Sequence, residues 1–144
     1  MINIYTKKSR ALIAELKHIE IGDYLELNHN EFLVPLYKYL QLLLENKGLT
    51  KTDVIHQSQL DRRYAYHIFS GTKQNPSRNK ILALANAMNL NLNETQSLLQ
   101  HSRHCPLCPR SPADSIIISA INQQLDVIHT NTLLKKFNIP ELLE

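Results

Sequence analysis

Four residues able to bind metal or do redox chemistry stand within eight positions: His101, His104, Cys105 and Cys108. Cys-x2-Cys fits one knuckle of a zinc site, and the two histidines would complete four ligands. A full site usually takes its second pair from a distant segment, whereas these four are all local. Pro106 and Pro109 constrain the loop between them. The simpler reading is two reduced thiols in a linker, with no metal ligand and no cofactor. A thioredoxin-type role lacks its βαβ setting. The seven histidines (18, 29, 56, 67, 101, 104 and 129) form no H-E-x-x-H, and the chain has no nucleophile elbow. The Gly-rich phosphate motifs are missing as well. With no convergent catalytic set, the chain is not expected to be an enzyme.

Charge gives the sharper signal. The 144 residues carry 16 Lys+Arg and 13 Asp+Glu, a net charge of +3. Residues 1–30 and 31–60 are each balanced, and residues 111–144 sum to −2. Residues 61–110 hold seven basic groups (Arg62, Arg63, Lys73, Arg78, Lys80, Arg103, Arg110) against Asp61 and Glu94. An anionic partner is therefore to be sought in the third quarter of the chain.

The elements that must position those cations read as helices. Three glycines are few for a sheet protein, and no segment alternates with period two. Residues 6–20 predict an amphipathic helix on Leu12, Ile13, Leu16 and Ile19, broken at Gly22, with a loop over 21–31. Residues 33–47 predict a second, with Pro35 in its first turn and Gly48 after its end. Thr50 caps a short helix over about 51–57, Leu60 lies in the turn, and Asp61 caps a helix over 62–70 closed by Gly71. Ser77 opens 78–89, and Asn93 with Gln96 predicts a capping box for 94–101. Residues 103–112 read as a linker. Ser111-Pro112-Ala113-Asp114 starts another helix, and Asp126 caps a last one through Phe137. Asp53-Val54-Ile55-His56 is echoed at Asp126-Val127-Ile128-His129, read as chance recurrence of a capped helix. The fold class is all-α. No aliphatic run approaches the roughly 20 residues of a membrane helix. The first ten residues lack the apolar stretch of a secretory signal. A cytoplasmic location is the expectation.

Residues 50–71 have the spacing of a helix-turn-helix: a short helix, a turn with a buried Leu, and a second short helix ending in Gly. The longer string from Leu42 to Leu99, LLLENKGLTKTDVIHQSQLDRRYAYHIFSGTKQNPSRNKILALANAMNLNLNETQSLL, covers 58 of the 144 residues. It resembles the Xre family of phage-repressor-type regulators in its leading helix ending in KGLT, its Gly-plus-polar loop ending in Pro, and its LALA helix. Val54-Ile55 replaces the Leu-Ala common in that family, and Phe69 fills volume left open by Ala65. The helices after Ser111 resemble an extension found in some such regulators.

The resemblance implies a phage-repressor-like five-helix DNA-binding domain over 31–102. A helical extension over 1–30, the linker at 103–112 and a second extension over 113–144 would flank it. It implies that the helix at 62–70 enters the major groove of double-stranded DNA. Arg62 and Arg63 would then face bases, with His67 one turn on. Tyr64 and Tyr66 flank them, as thymine-methyl or phosphate contacts or as half-buried packing residues. Phosphate contacts would come from Lys51, Ser70, Lys73, Asn75, Ser77 and Arg78. Binding as a homodimer on half-sites roughly 34 Å apart is expected, with either extension able to supply the dimer contact or complete the monomer core. The competing reading is a repressor-like module that binds a protein partner instead of DNA.

Overall fold

The structure, a computed structural model, describes residues 7–143. Its described residues are helical and contain no strand. The chain divides into two units, Met1–Val34 and Pro35–Glu144. Among the described residues no helix is long and apolar enough to cross a membrane.

The first unit holds α1 (Ser9–Glu15), α2 (Ile21–Leu27) and a single 3₁₀ turn at His29–Glu31. The helix expected over 6–20 is therefore shorter. Gly22 lies in the first turn of α2, in a stretch expected to be a loop. Neither helix has a side-chain N-cap bond, and α1 buries no residue. Seven-residue helices of this kind need support from packing. Local polar bonds provide some: Lys7 Nζ donates to Asn28 Oδ1 at 2.6 Å and reaches Glu15 at 3.3 Å. Asn28 Nδ2 in turn donates to the Tyr24 carbonyl.

The second unit contains seven helices among its described residues: α3 (Leu36–Lys47), α4 (Lys51–Ser58), α5 (Arg62–Ser70), α6 (Arg78–Ala87), α7 (Leu92–His101), α8 (Pro112–Asn122) and α9 (Val127–Lys136). α6 is its centre. Ile81, Leu82, Ala83, Leu84 and Ala85 are all buried, as expected of a helix enclosed on most sides. It packs against α4, α7 and α9, while α3 packs on α5 and α8 on α9. Burying each of its large aliphatic side chains contributes about 1.5–3 kcal/mol.

Pro35 precedes α3 as its N-cap residue, with extended ψ of 149°, instead of lying inside the first turn. Thr50, Asp61, Ser111 and Asp126 cap their helices through side-chain oxygens. The capping box of α7 is Asn91 with Glu94, two residues before the expected pair. That earlier start turns Thr95, Leu98 and Leu99 into the core. It also lets the Glu94 carboxylate bond the Asn91 N–H at 3.0 Å and Lys47 Nζ at 2.9 Å.

Three helix pairs share one turn design. Gln59, Asn89 and Gln124 each adopt a left-handed φ, of 61°, 54° and 57°. A leucine follows each of them, then a capping Asp61, Asn91 or Asp126. Each cap accepts the N–H three residues on, at 3.0, 2.8 and 2.8 Å. The repeat in the chain is this turn. The Asp53–His56 and Asp126–His129 strings fall out of register, since Asp53 is the third residue of α4 and Asp126 is a cap.

The stretch at 103–112 is a docked loop, not a free linker. Leu107 is buried, and its backbone N–H and C=O both bond the Gln96 side chain, at 2.7 and 2.9 Å. α8 and α9 complete the same core: Asn86 Nδ2 donates to the Leu125 carbonyl and to Thr130 Oγ1.

Candidate nucleic-acid interface

α5 is strongly two-sided. Ala65, Ile68 and Phe69 are buried, with Ala65 and Ile68 fully inaccessible. Arg62, Arg63, His67 and Ser70 are exposed, and Tyr64 and Tyr66 are half-buried between the two faces. Asp61 fixes the start of the helix by accepting the Tyr64 N–H. Gly71 ends it at φ 86°, where a side chain would be strained. A Cβ there would also stand 2.8 Å from Tyr37 Cδ1, so only glycine lets α5 end against α3.

The two tyrosines organise the cations. The Arg62 guanidinium lies 5.8 Å from the Tyr66 ring centre. The Tyr66 hydroxyl is 3.5 Å from Thr52 Oγ1 on α4. The Thr52 hydroxyl and Arg62 hold the Tyr66 phenol below its ordinary pKa. A groove of about 430 Å³ runs between α4 and α5, with Thr52, His56, Arg62 and Tyr66 among its walls. On the other side, Tyr64 has Lys80 Nζ at 4.2 Å and Lys73 Nζ at 5.7 Å from its ring centre. These contacts join α5, the following loop and the first turn of α6 into one cationic surface. From the sequence Lys80 is expected only to add charge beside Arg78. Its position three residues into α6 becomes meaningful only once α6 is set beside Tyr64.

The loop after α5 is held at several points. The Lys73 N–H donates to the His67 carbonyl at 2.9 Å, and the Ser70 and Thr72 hydroxyls are 3.0 Å apart. Pro76 is buried, and His104 Nε2 lies 2.9 Å from its carbonyl, a bond that requires the Nε2–H form. Lys73, Asn75 and Ser77 remain exposed, as does Lys51 at the start of α4. Ser77 places no side-chain bond on the first turn of α6.

Arg78 has a different place from the phosphate contact expected of it. Its guanidinium pairs with both Asp114 oxygens, at 3.0 and 2.9 Å, and donates to the Cys105 and Pro106 carbonyls at 3.0 and 3.1 Å. Asp114 also accepts the Cys108 N–H at 3.0 Å. Burial pushes the Asp114 carboxyl up, but Arg78 and the Cys108 N–H outweigh it and hold its pKa below the ordinary value. This clamp ties the start of α6 to the docked loop and to α8.

Of the two acidic groups in the basic quarter, Glu94 is buried against Lys47, and Asp61 is exposed at the start of α5, where it accepts the Tyr64 N–H. Burial raises the Glu94 pKa. The Asn91 N–H and Lys47 reverse that effect and leave it lowered, favouring the carboxylate form beside Lys47.

The Cys/His group does not converge. His101 is buried and stacks on Tyr39 at 4.2 Å, and His104 faces Pro76, while both thiols are exposed. Among the described residues no group of three or more His, Cys, Asp or Glu could hold a metal ion. Comparisons with family models, with curated proteins and with solved structures found no match to this chain.

Proposed function

We propose that this chain is a sequence-specific regulator of transcription that binds double-stranded DNA, with α4 and α5 acting as a helix-turn-helix. The observation that carries the reading is the outer face of α5. Two consecutive arginines open it, and a Tyr64–Lys73–Lys80 cluster stands beside them. In this reading α5 lies in the major groove. Arg62 and Arg63 read base edges; a bidentate Arg–guanine pair is worth about 1–3 kcal/mol of discrimination. His67 meets the next base step. Tyr66 is steered by Thr52 towards the α4 side of the groove.

Lys51, Lys73 and Lys80 neutralise phosphates, with Ser70, Asn75 and the N-terminal turn of α6 at Ser77 as neutral contacts. Arg78 is left out of this set, because Asp114 and the Cys105 and Pro106 carbonyls engage its guanidinium. The chain acts as a homodimer, so that two copies of α5 meet successive major grooves about 34 Å apart.

A salt titration of DNA affinity tests this directly. Three cationic phosphate contacts per chain, six per dimer, predict a slope of log K on log salt of about −5. Lys73→Ala should weaken all duplexes alike and reduce the slope by about one per chain. Arg62→Ala or Arg63→Ala should reduce discrimination among duplexes. Salt-independent binding, or none, would leave the α5 face as a docking site for protein and sink the proposal.

A further inference from the structure

The described residues of the first unit expose more large apolar side chains than they bury. Seven of the ten large exposed apolar side chains among the described residues lie within residues 7–34. Ile13, Ile21, Leu27 and Leu33 are each more than half exposed. Among its described residues Tyr24 and Asn28 are buried, one of them polar. A unit of this length is below the roughly 40 residues at which chains fold without disulfides, metals or oligomerisation.

Charge says what would cover that surface. Residues 7–17 carry Lys7, Lys8, Arg10 and Lys17 against Glu15, a net of +3. Residues 18–34 carry Glu20, Asp23, Glu26 and Glu31 and no Lys or Arg, a net of −4. A two-fold axis pairs position i with j and j with i. Lys7 reaches Asn28, so the segment turns back on itself, and a two-fold axis that lays α1 of one copy on α2 of the other sets these opposite charges together. The seven side chains are 42–67% exposed, surface of the kind that an interface of about 800 Å² per partner takes from water.

We infer that residues 7–34 are the homodimer contact, two copies pairing α1 against α2 through their apolar side chains with opposite charges together. This rests on the proposed DNA reading only for its purpose, which is to present two copies of α5. The same assignment agrees with α8 and α9 being part of the core of their own chain.

The test uses the full chain without DNA, so its outcome is independent of DNA binding. One variant reverses the basic half (Lys8→Glu, Arg10→Glu, Lys17→Glu). The other reverses the acidic half (Glu20→Lys, Asp23→Lys, Glu26→Lys). All six side chains are exposed, so the helical circular-dichroism signal should be retained. Sedimentation equilibrium should show a dimer for the native chain. Each reversed variant alone should associate at least tenfold more weakly, and an equimolar mixture should form the heterodimer. Ile21→Ser with Leu25→Ser should weaken the native dimer at least tenfold. A native chain that stays monomeric at tens of micromolar overturns the inference, whether the segment then covers its own chain or binds another protein. A dimer indifferent to all these variants overturns it too, since another face must then hold the copies together.

Discussion

Replacing Asp114 by alanine should unfasten three segments at once. The carboxylate holds the Arg78 guanidinium through two bonds of 3.0 and 2.9 Å and accepts the Cys108 N–H at 3.0 Å. Breaking a fully buried pair costs about 3–5 kcal/mol. Here the Arg78 side chain is 26% exposed and that of Asp114 is 9% exposed, so water partly compensates. The expected loss is about 2–3 kcal/mol, which for a chain of this size lowers Tm by roughly 5–10 °C. Thermal unfolding followed by circular dichroism at pH 7 reads it. Arg78→Ala should cost about as much, and the double variant less than the sum, with a coupling of about 1–2 kcal/mol.

The pH dependence has a fixed sign. The folded Asp114 pKa is depressed, so its stabilisation is complete above the ordinary aspartate range and is lost as pH falls through the folded value. The Tm gap between the native chain and Asp114→Ala should therefore close in acid. Additive single and double variants, or a gap unchanged by acid, would refute the clamp. Arg78→Lys offers a further check: it should lower Tm while leaving the salt slope of DNA binding unaltered.

Glycine substitutions should separate strain from contact. Gly48→Ala, at φ 64° with nothing within 4 Å, should cost about 1–2 kcal/mol from backbone conformation alone. Gly71→Ala, at φ 86° with Tyr37 in the way, should cost visibly more in urea unfolding. Asn91→Ala removes the α7 capping box and should cost about 0.5–2 kcal/mol by the same measurement, whereas Asn93→Ala should have little effect.

Local chemistry was the legible part of the chain. Thr50, Asp61, Ser111 and Asp126 announce their helices because a side-chain oxygen before a helical pattern has one main use. Gly48 and Gly71 mark helix ends for the same kind of reason, through left-handed φ. The outward position of Arg62 and Arg63 on α5 is an expectation of the resemblance, and both are exposed. What could not be read depended on distant partners. Arg78 looks like any basic residue in a polar stretch until α8 brings Asp114 to it, 36 positions away. The Pro/Cys-rich stretch has the composition of a linker, and only Gln96 and the pocket for Leu107 make it a docked loop. The α7 cap was misplaced because Asn91 and Asn93 are equivalent in propensity. The burial of Leu98 and Leu99, a tertiary effect, decides between them.

The central claim is that α5 reads sequence. Selection of the native chain against a pool of random duplexes, with Arg62→Ala/Arg63→Ala in parallel, tests it most directly. The account predicts an enriched motif for the native chain, with guanines in paired half-sites spaced by one helical turn, and loss of that enrichment in the variant. A native chain that enriches no motif, or a variant that enriches the same one, would contradict it.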